Sequence, residues 1–77
     1  MNTQANSIEI EVQAQEQGQL DAGFLFASFK NTGDSQAVVN GVILPSGEAK
    51  GYPFVGKAYN AIPYDTQNST LLILQIL

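Results

Sequence analysis

The 77-residue sequence contains no cysteine, no histidine, no arginine and no tryptophan. Without cysteine the chain forms no disulfide, and without cysteine or histidine it lacks the ligands of nearly every zinc or copper site. A chain of this length buries only about 60% of the surface that its unfolded form exposes, so its own core gives marginal stability. Association with other chains is the remaining way to add stability. The composition therefore predicts an oligomer or a component of a larger assembly.

Charged residues are also scarce. Three lysines and seven acids give a net charge of −4, and charged residues make up 13% of the chain, against about 25% in an average domain. An acidic chain without arginine lacks the positive surface of a nucleic-acid binder and the basic face that holds proteins on anionic membranes. Residues 1–7 show no signal-peptide pattern, and Leu71–Leu77 is too short to span a bilayer. We therefore expect a protein made in soluble form, with no nucleic-acid partner and no stable membrane insertion.

Catalytic groups are not recognisable in the sequence. Nucleophilic catalysis needs a nucleophile and a base that activates it, and Lys30, Lys50 and Lys57 show no spacing to a serine that suggests such a pair. Glu9 and Glu11 are neighbours on one predicted strand face, where a solvated acidic face explains them. We therefore predict no enzyme, no small-molecule substrate and no cofactor.

Calcium is the one metal that needs only oxygen ligands, and Asp34 and Asp65 could each offer a carboxylate. Neither aspartate is followed by the alternating acids of a calcium loop. Both fit turns in which the aspartate side chain bonds to its own backbone. We therefore predict no metal site.

Short apolar runs separated by turn signals occupy most of the chain. The clearest turn is Asn40-Gly41, between predicted strands at about 36–39 and 42–44. A two-residue type I′ turn needs positive φ at both central residues, and Asn and Gly tolerate that conformation. The segment 45–48, Pro-Ser-Gly-Glu, predicts a second tight turn, and a strand or extended segment follows over about 48–54.

Alternating or continuously apolar runs predict the remaining strands. These strands cover about 8–15, 24–30, 58–64 and 71–77, whereas 16–23 reads as the longest polar connection. Proline cannot donate to a strand ladder, so Pro53 should end its strand or lie on an edge, and Pro63 should mark an edge or a bulge. Six of the seven residues in Leu71–Leu77 are large aliphatics, which predicts a central strand with both faces covered.

The candidate assembly interface consists of aliphatic and tyrosine side chains that need a covering surface. The aliphatic part comes from the last predicted strand, and the tyrosines lie in segments near predicted edges, where aromatics with polar tips suit interfaces or sugar stacking. The alternative for the tyrosines is that they cap a small core, with the hydroxyl groups in water. The candidate residues are Leu72, Leu74, Ile76, Leu77, Tyr52, Tyr59 and Tyr64.

The strand pattern predicts one all-β domain over residues 8–77, preceded by a flexible or partner-ordered arm at 1–7. Six to seven short strands at spacings of about ten residues, without a convincing helix, are typical of a small antiparallel β-sandwich or barrel. The expected architecture is of the jelly-roll or immunoglobulin-like kind.

Three segments, 30–33, 39–48 and 64–73, resemble small all-β virion proteins of phages that infect Bacteroidetes-type bacteria. The shared pattern has an N-T-G turn, a V-N-G-V-x-L-x-P-G-E hairpin, an aromatic segment and a Y-D-x-x-x-x-T-L-L-I ending. The similarity covers about residues 24–77. In this chain Ser46 separates Pro45 from Gly47, where the pattern often has Pro and Gly adjacent. This insertion lengthens the turn and should leave the strand order unchanged.

The resemblance implies a non-enzymatic structural protein of the virus particle, made in the host cytoplasm. It would be a vertex or penton, spike-base or capsid-associated subunit that forms a homo-oligomer, assembles with the major coat protein, or both. The resemblance brings no catalytic residues with it. The alternative is a host-receptor or glycan-binding β module that uses the segment Tyr52–Tyr64, and a third, weaker reading is a small or accessory enzyme.

Overall fold

A computed structural model describes residues 9–77 of the chain, with side chains from Val12 onward. The predicted arm at 1–7 and the predicted acidic face of Glu9 and Glu11 lie outside this description. The described residues contain no helix, so the fold is all-β. The eight strands within residues 9–77 are β1 (Glu9–Ala14), β2 (Gly18–Leu20), β3 (Phe26–Asn31), β4 (Ala37–Val39), β5 (Val42–Leu44), β6 (Ala49–Tyr52), β7 (Ile62–Asp65) and β8 (Leu71–Ile76).

The strands form two antiparallel sheets of four strands each. The first sheet has the order β1-β8-β3-β6, and the second has the order β2-β7-β4-β5. One buried cluster takes side chains from both sheets, including Phe29 and Leu71 from the first and Val39 and Ile62 from the second. The two sheets therefore pack as a β-sandwich around a single core, as the sequence predicts.

The pairing follows a regular scheme along the chain. β1 pairs with β8, β2 with β7, β3 with β6 and β4 with β5. Successive pairs belong alternately to the first and the second sheet, and the β3–β8 and β4–β7 pairings complete the two sheets. The described chain is thus one long antiparallel ribbon, folded over on itself, with the turn between β4 and β5 at its tip.

The two predicted turns around β5 are confirmed. Asn40 and Gly41 have φ of 52° and 77°, so both central residues are left-handed as a type I′ turn requires. In the second turn Gly47 has a φ of 82°, and the Glu48 N–H donates to the Pro45 carbonyl at 3.1 Å. Because β5 and β6 belong to different sheets, this second turn carries the chain across the sandwich.

The predicted count of six to seven strands is wrong, because the region 16–23 contains β2. This strand is only three residues long, and Leu20 is its one buried residue. A Cβ atom at Gly18 would lie 2.6 Å from the hydroxyl oxygen of Tyr64. Tyr64, the register partner of Gly18, therefore packs its ring over the bare glycine, and this cross-strand contact holds a segment with little apolar pattern of its own.

The predictions for Pro53 and Pro63 have different outcomes. Pro53 directly follows β6, an edge strand, as predicted. Pro63 lies inside β7, between β2 and β4, in regular register with Gln19, so the prediction of an edge or a bulge is wrong. The Pro63 carbonyl accepts the Asn40 N–H at 2.8 Å. The backbone nitrogen of Pro63 faces the chain beyond Val39, where β4 has already ended. The proline therefore removes no hydrogen bond between β7 and β4, and the interior strand tolerates it.

Candidate assembly surface

The outer face of the first sheet carries a row of aliphatic side chains. β8 lies between β1 and β3, which confirms the predicted central strand. Leu71 and Ile73 point into the core and are 0% and 3% exposed. The alternate residues of β8 point outward and are half-buried; we call this outward row, which consists of Leu72, Leu74 and Ile76, the β8 row.

The β8 row continues into an apolar cleft at one end. Phe26 is the register partner of Ile76 on β3, and the two line a cleft of about 360 Å³ together with Leu25 and Phe54. The Phe54 side chain is 62% exposed, and Leu77, directly after β8, is 42% exposed. The four aliphatic residues of the predicted interface therefore lie along β8 and directly after it, and Ile76 among them lies beside three more apolar side chains.

Polar side chains border the β8 row on both sides. Gln13 on β1 and Lys30 on β3 are the register partners of Leu72, and Ser28 is the partner of Leu74. Lys30 is exposed to solvent. A narrow apolar strip with a polar margin is the usual composition of a protein contact surface.

The three tyrosines of the predicted interface lie elsewhere, packed against the core. The ring of Tyr59 stacks on Phe24, with centroids 5.1 Å apart and an interplanar angle of 7°. Tyr52 meets Tyr59 edge-on at 5.7 Å. Phe29 lies 5.8 Å from Tyr52 and 6.2 Å from Tyr64, again between ring centroids. The five rings form a continuous aromatic chain, in which the three tyrosines are partly buried.

This aromatic chain fixes the long segment between β6 and β7. The Gly23 N–H donates to the Tyr59 carbonyl at 2.9 Å, and the Tyr59 N–H donates to the Phe24 carbonyl at 2.9 Å. The Tyr59 hydroxyl donates to the Pro53 carbonyl at 2.6 Å. The packing agrees with the alternative prediction that the tyrosines cap a small core, because each ring is partly buried.

The Tyr52 hydroxyl is buried and has no hydrogen-bond partner among the described residues. Burial raises the pKa of Tyr52, the Asn40 side chain acts in the opposite direction and lowers it, and Tyr59 adds a smaller increase. A raised pKa means that the folded state prefers the neutral phenol. The associated stability is fully present below the unfolded pKa of about 10 and is lost as the pH rises above it.

We predict that Tyr52→Phe reduces the loss of stability at high pH. Urea unfolding of the wild type and the variant at pH 8 and pH 11 should show a smaller decrease in the free energy of unfolding for the variant. At pH 8 the variant should be as stable as the wild type or more stable, because a buried unpaired hydroxyl costs about 1–3 kcal/mol. Equal losses in the two proteins would show that Tyr52 does not titrate differently on unfolding.

A buried polar cluster is centred on Asn31, which is 0% exposed. Its Nδ2 group donates to the carbonyls of Ser35 at 2.7 Å and Leu44 at 2.9 Å. Its Oδ1 atom accepts the Gly33 N–H at 3.1 Å and the Ser69 hydroxyl at 2.6 Å. All four hydrogen-bonding positions of the amide are used. Asn31 therefore joins the β3–β4 loop, the β7–β8 loop and the end of β5, a structural role that the sequence does not reveal when the N-T-G motif is taken only as a turn.

Gly33 fits tightly against the loop that precedes β8. A Cβ atom at Gly33 would collide with the Ser69 hydroxyl and lie 2.6 Å from the backbone nitrogen of Thr70. The Gly33 carbonyl accepts the Ser46 hydroxyl at 2.5 Å, and the Thr32 N–H donates to the Thr70 carbonyl at 2.9 Å. The N-T-G segment thus holds the start of β8 in place and, with it, the β8 row.

Another cleft lies beside the end of β1 and Tyr64. Its volume is about 500 Å³, and Glu16 is the one carboxylate among its lining residues, which are Val12, Gln13, Ala14, Gln15, Glu16, Gln17 and Tyr64. Across the described part of the chain, no three His, Cys, Asp or Glu residues come together as a metal site would require. No helix in that part is long and apolar enough to cross a membrane.

A scan of the chain against protein-family models found no matching family, and searches of curated proteins and of solved structures found no match.

Proposed function

We propose that the chain is a non-enzymatic structural subunit of a virus particle, which assembles with copies of itself and with the coat protein after synthesis in the host cytoplasm. One support is the strand order, in which the first strand pairs with the last and successive pairs alternate between two sheets. This order follows the scheme of the eight-stranded jelly roll, a fold that viral capsid domains use. The resemblance of segments 30–33, 39–48 and 64–73 to phage virion proteins points the same way.

The observation that carries the proposal is the β8 row. A central strand that turns Leu72, Leu74 and Ile76 outward is unusual in a free small domain, because each large aliphatic side chain gains about 1.5–3 kcal/mol from full burial. In this domain the row is only half-buried, and Leu77, directly after β8, is 42% exposed. Contact with a neighbouring subunit or with the coat protein would cover these residues. The tyrosines Tyr52, Tyr59 and Tyr64 serve the core in this proposal and not the interface.

The proposal predicts that the purified chain forms a defined oligomer and that Leu74→Lys weakens it. Light scattering during size-exclusion chromatography should show the oligomer at about 100 μM, and the lysine should raise the dissociation constant at least tenfold, or about 1.4 kcal/mol. Val12→Lys is the matched control, because Val12 is a 47% exposed aliphatic residue whose register partner is the inward-facing Ile73. A monomeric wild type at this concentration, or equal effects of the two lysines, would contradict the proposed assembly surface.

A second measurement tests the viral part of the proposal. In particles purified from an infected culture, quantitative mass spectrometry should find the chain at a fixed ratio to the coat protein through successive density gradients. Loss of the chain during that purification would exclude a structural role in the particle.

A further inference from the structure

Among the strands that the structure describes, β5 is an outer strand of the second sheet and is paired only with β4. The two-residue turn makes Val39 and Val42 the hydrogen-bonded closing pair of the hairpin. Hydrogen-bonded and non-hydrogen-bonded pairs alternate, so the N–H and C=O groups of Ile43 point away from β4. Val42 and Ile43 are 53% and 58% exposed. This edge therefore presents a free donor and a free acceptor beside two exposed aliphatic side chains.

The other edge strands carry protection that β5 lacks. Edge strands avoid pairing with other chains through charged side chains, prolines or very short length. β6 contains Lys50, and β1 contains Glu9 and Glu11. β2 has the same length as β5, three residues, but it turns the polar Gln19 to solvent, whereas the exposed residues of β5 are aliphatic. β5 contains no charged residue, and neither does the whole stretch 40–47. Among the four edge strands that the structure describes, β5 is therefore the one best suited to pair with another strand.

We propose that β5 pairs antiparallel with β5 of a second copy of this chain, which joins the two second sheets into one eight-stranded sheet across a two-fold axis. The proposal deepens the self-assembly part of the proposed function and uses a surface separate from the β8 row. In a pairing centred on Ile43, that residue faces its own counterpart. The N–H group of each Ile43 donates to the carbonyl of the other, and two hydrogen bonds close the pair.

The residues in and around β5 are compatible with pairing between two copies of this chain. With Ile43 at the centre, Val42 faces Leu44 of the other copy and Asn40 faces Ser46, so no charge is buried and no like charges meet. Val38 is the register partner of Ile43. The outer face of the joined sheet therefore gains a continuous row of four β-branched side chains, two from each copy. Such self-complementarity is what a two-fold interface requires.

A single introduced cysteine tests the pairing directly, because the chain has no cysteine of its own. In a hydrogen-bonded antiparallel pair the opposing Cα atoms are about 5.5 Å apart, within the range of a disulfide. Under mild oxidation, Ile43→Cys should form a disulfide-linked dimer at least tenfold faster than Val55→Cys. Val55 is the matched control, because it is an equally exposed aliphatic residue, at 60%, outside the strands. Equal rates for the two variants would overturn the inference.

A second variant separates this inference from the proposed function. Ile43→Lys, at an exposed position that should fold normally, is expected to raise the dissociation constant of the β5 pair at least tenfold in sedimentation experiments. The double variant Leu74→Lys with Ile43→Cys should cross-link as fast as Ile43→Cys alone. An oligomeric wild type combined with slow cross-linking would refute the β5 pairing and leave the β8 row in place. Fast cross-linking, combined with equal effects of Leu74→Lys and Val12→Lys on assembly, would support β5 pairing and remove the β8 row from the assembly surface.

Discussion

Replacing Asn31 with alanine should lower the free energy of unfolding by about 3–5 kcal/mol, since each buried polar group left without a partner costs about 1–3 kcal/mol. The substitution removes all four hydrogen bonds of the buried amide at once. The carbonyl of Leu44 and the hydroxyl of Ser69 lose a partner inside the fold, where water reaches them least. The groups of Ser35 and Gly33 lie nearer the surface and recover part of the loss by hydration.

Urea unfolding followed by circular dichroism measures this loss, and two variants test its cause. Ser69→Ala removes one of the four hydrogen bonds and should cost about 1 kcal/mol. Asn31→Asp keeps the shape of the side chain but turns a carboxylate oxygen toward two carbonyls. It should destabilise the fold at neutral pH at least as much as alanine does, and part of the stability should return in acid, when the carboxyl group can donate. A cost below about 1 kcal/mol for Asn31→Ala would show that the cluster is dispensable.

Replacing Phe24 with alanine should cost about 3–5 kcal/mol, the usual range for a buried aromatic residue. Phe24 is 0% exposed and stacks on Tyr59, although it lies outside the strands. Its backbone carbonyl also accepts the Tyr59 N–H. The cavity would therefore loosen the segment between β6 and β7 as well as the core.

The near-ultraviolet circular dichroism of the tyrosines should decrease along with the urea midpoint of Phe24→Ala. Phe54→Ala is the control, because Phe54 is 62% exposed and should change stability by no more than about 0.5 kcal/mol. Similar costs for the two variants would mean that Phe24 is not part of the cooperative core. Since a small domain is stable by only about 5–15 kcal/mol in total, the predicted loss would leave Phe24→Ala close to unfolding.

Local chemistry explains which parts of the fold the sequence predicts well. The Asn40-Gly41 turn and the glycine of the second turn follow from the few residues that tolerate positive φ. The central position of β8 follows from its apolar character on both faces. Each of these features is determined by residues that are neighbours in the sequence, and so it can be predicted without the rest of the chain.

Features that depend on distant partners were not predictable in the same way. β2 owes its place to its pairing with β7 and not to its own polar sequence. Asn31 looks like an ordinary turn residue, yet two of its partners lie 13 and 38 positions away. The sequence predicts a strand over about 24–30, but the strand begins only at Phe26, and Phe24 is buried in the core outside it. The contacts among the aromatic rings were not predictable for the same reason, because nothing local indicates which rings meet.

The pairing of strands along the ribbon also favours a particular order of folding. In this order most strand pairs close only a small additional loop, so these steps lose little chain entropy. The β4–β5 hairpin closes a two-residue loop, and hairpins form in about 1–10 μs. Once it exists, β3 and β6 are brought close with only short connections to order. The pairing of β2 with β7 must also order the longer segment between β6 and β7, and β1 can then pair with β8. Each step makes the next loop effectively short, although the outermost strands are far apart in sequence. We therefore expect substitutions in the Asn40-Gly41 turn to change mainly the folding rate, and substitutions in the β1–β8 contacts, which form last in this order, to change mainly the unfolding rate.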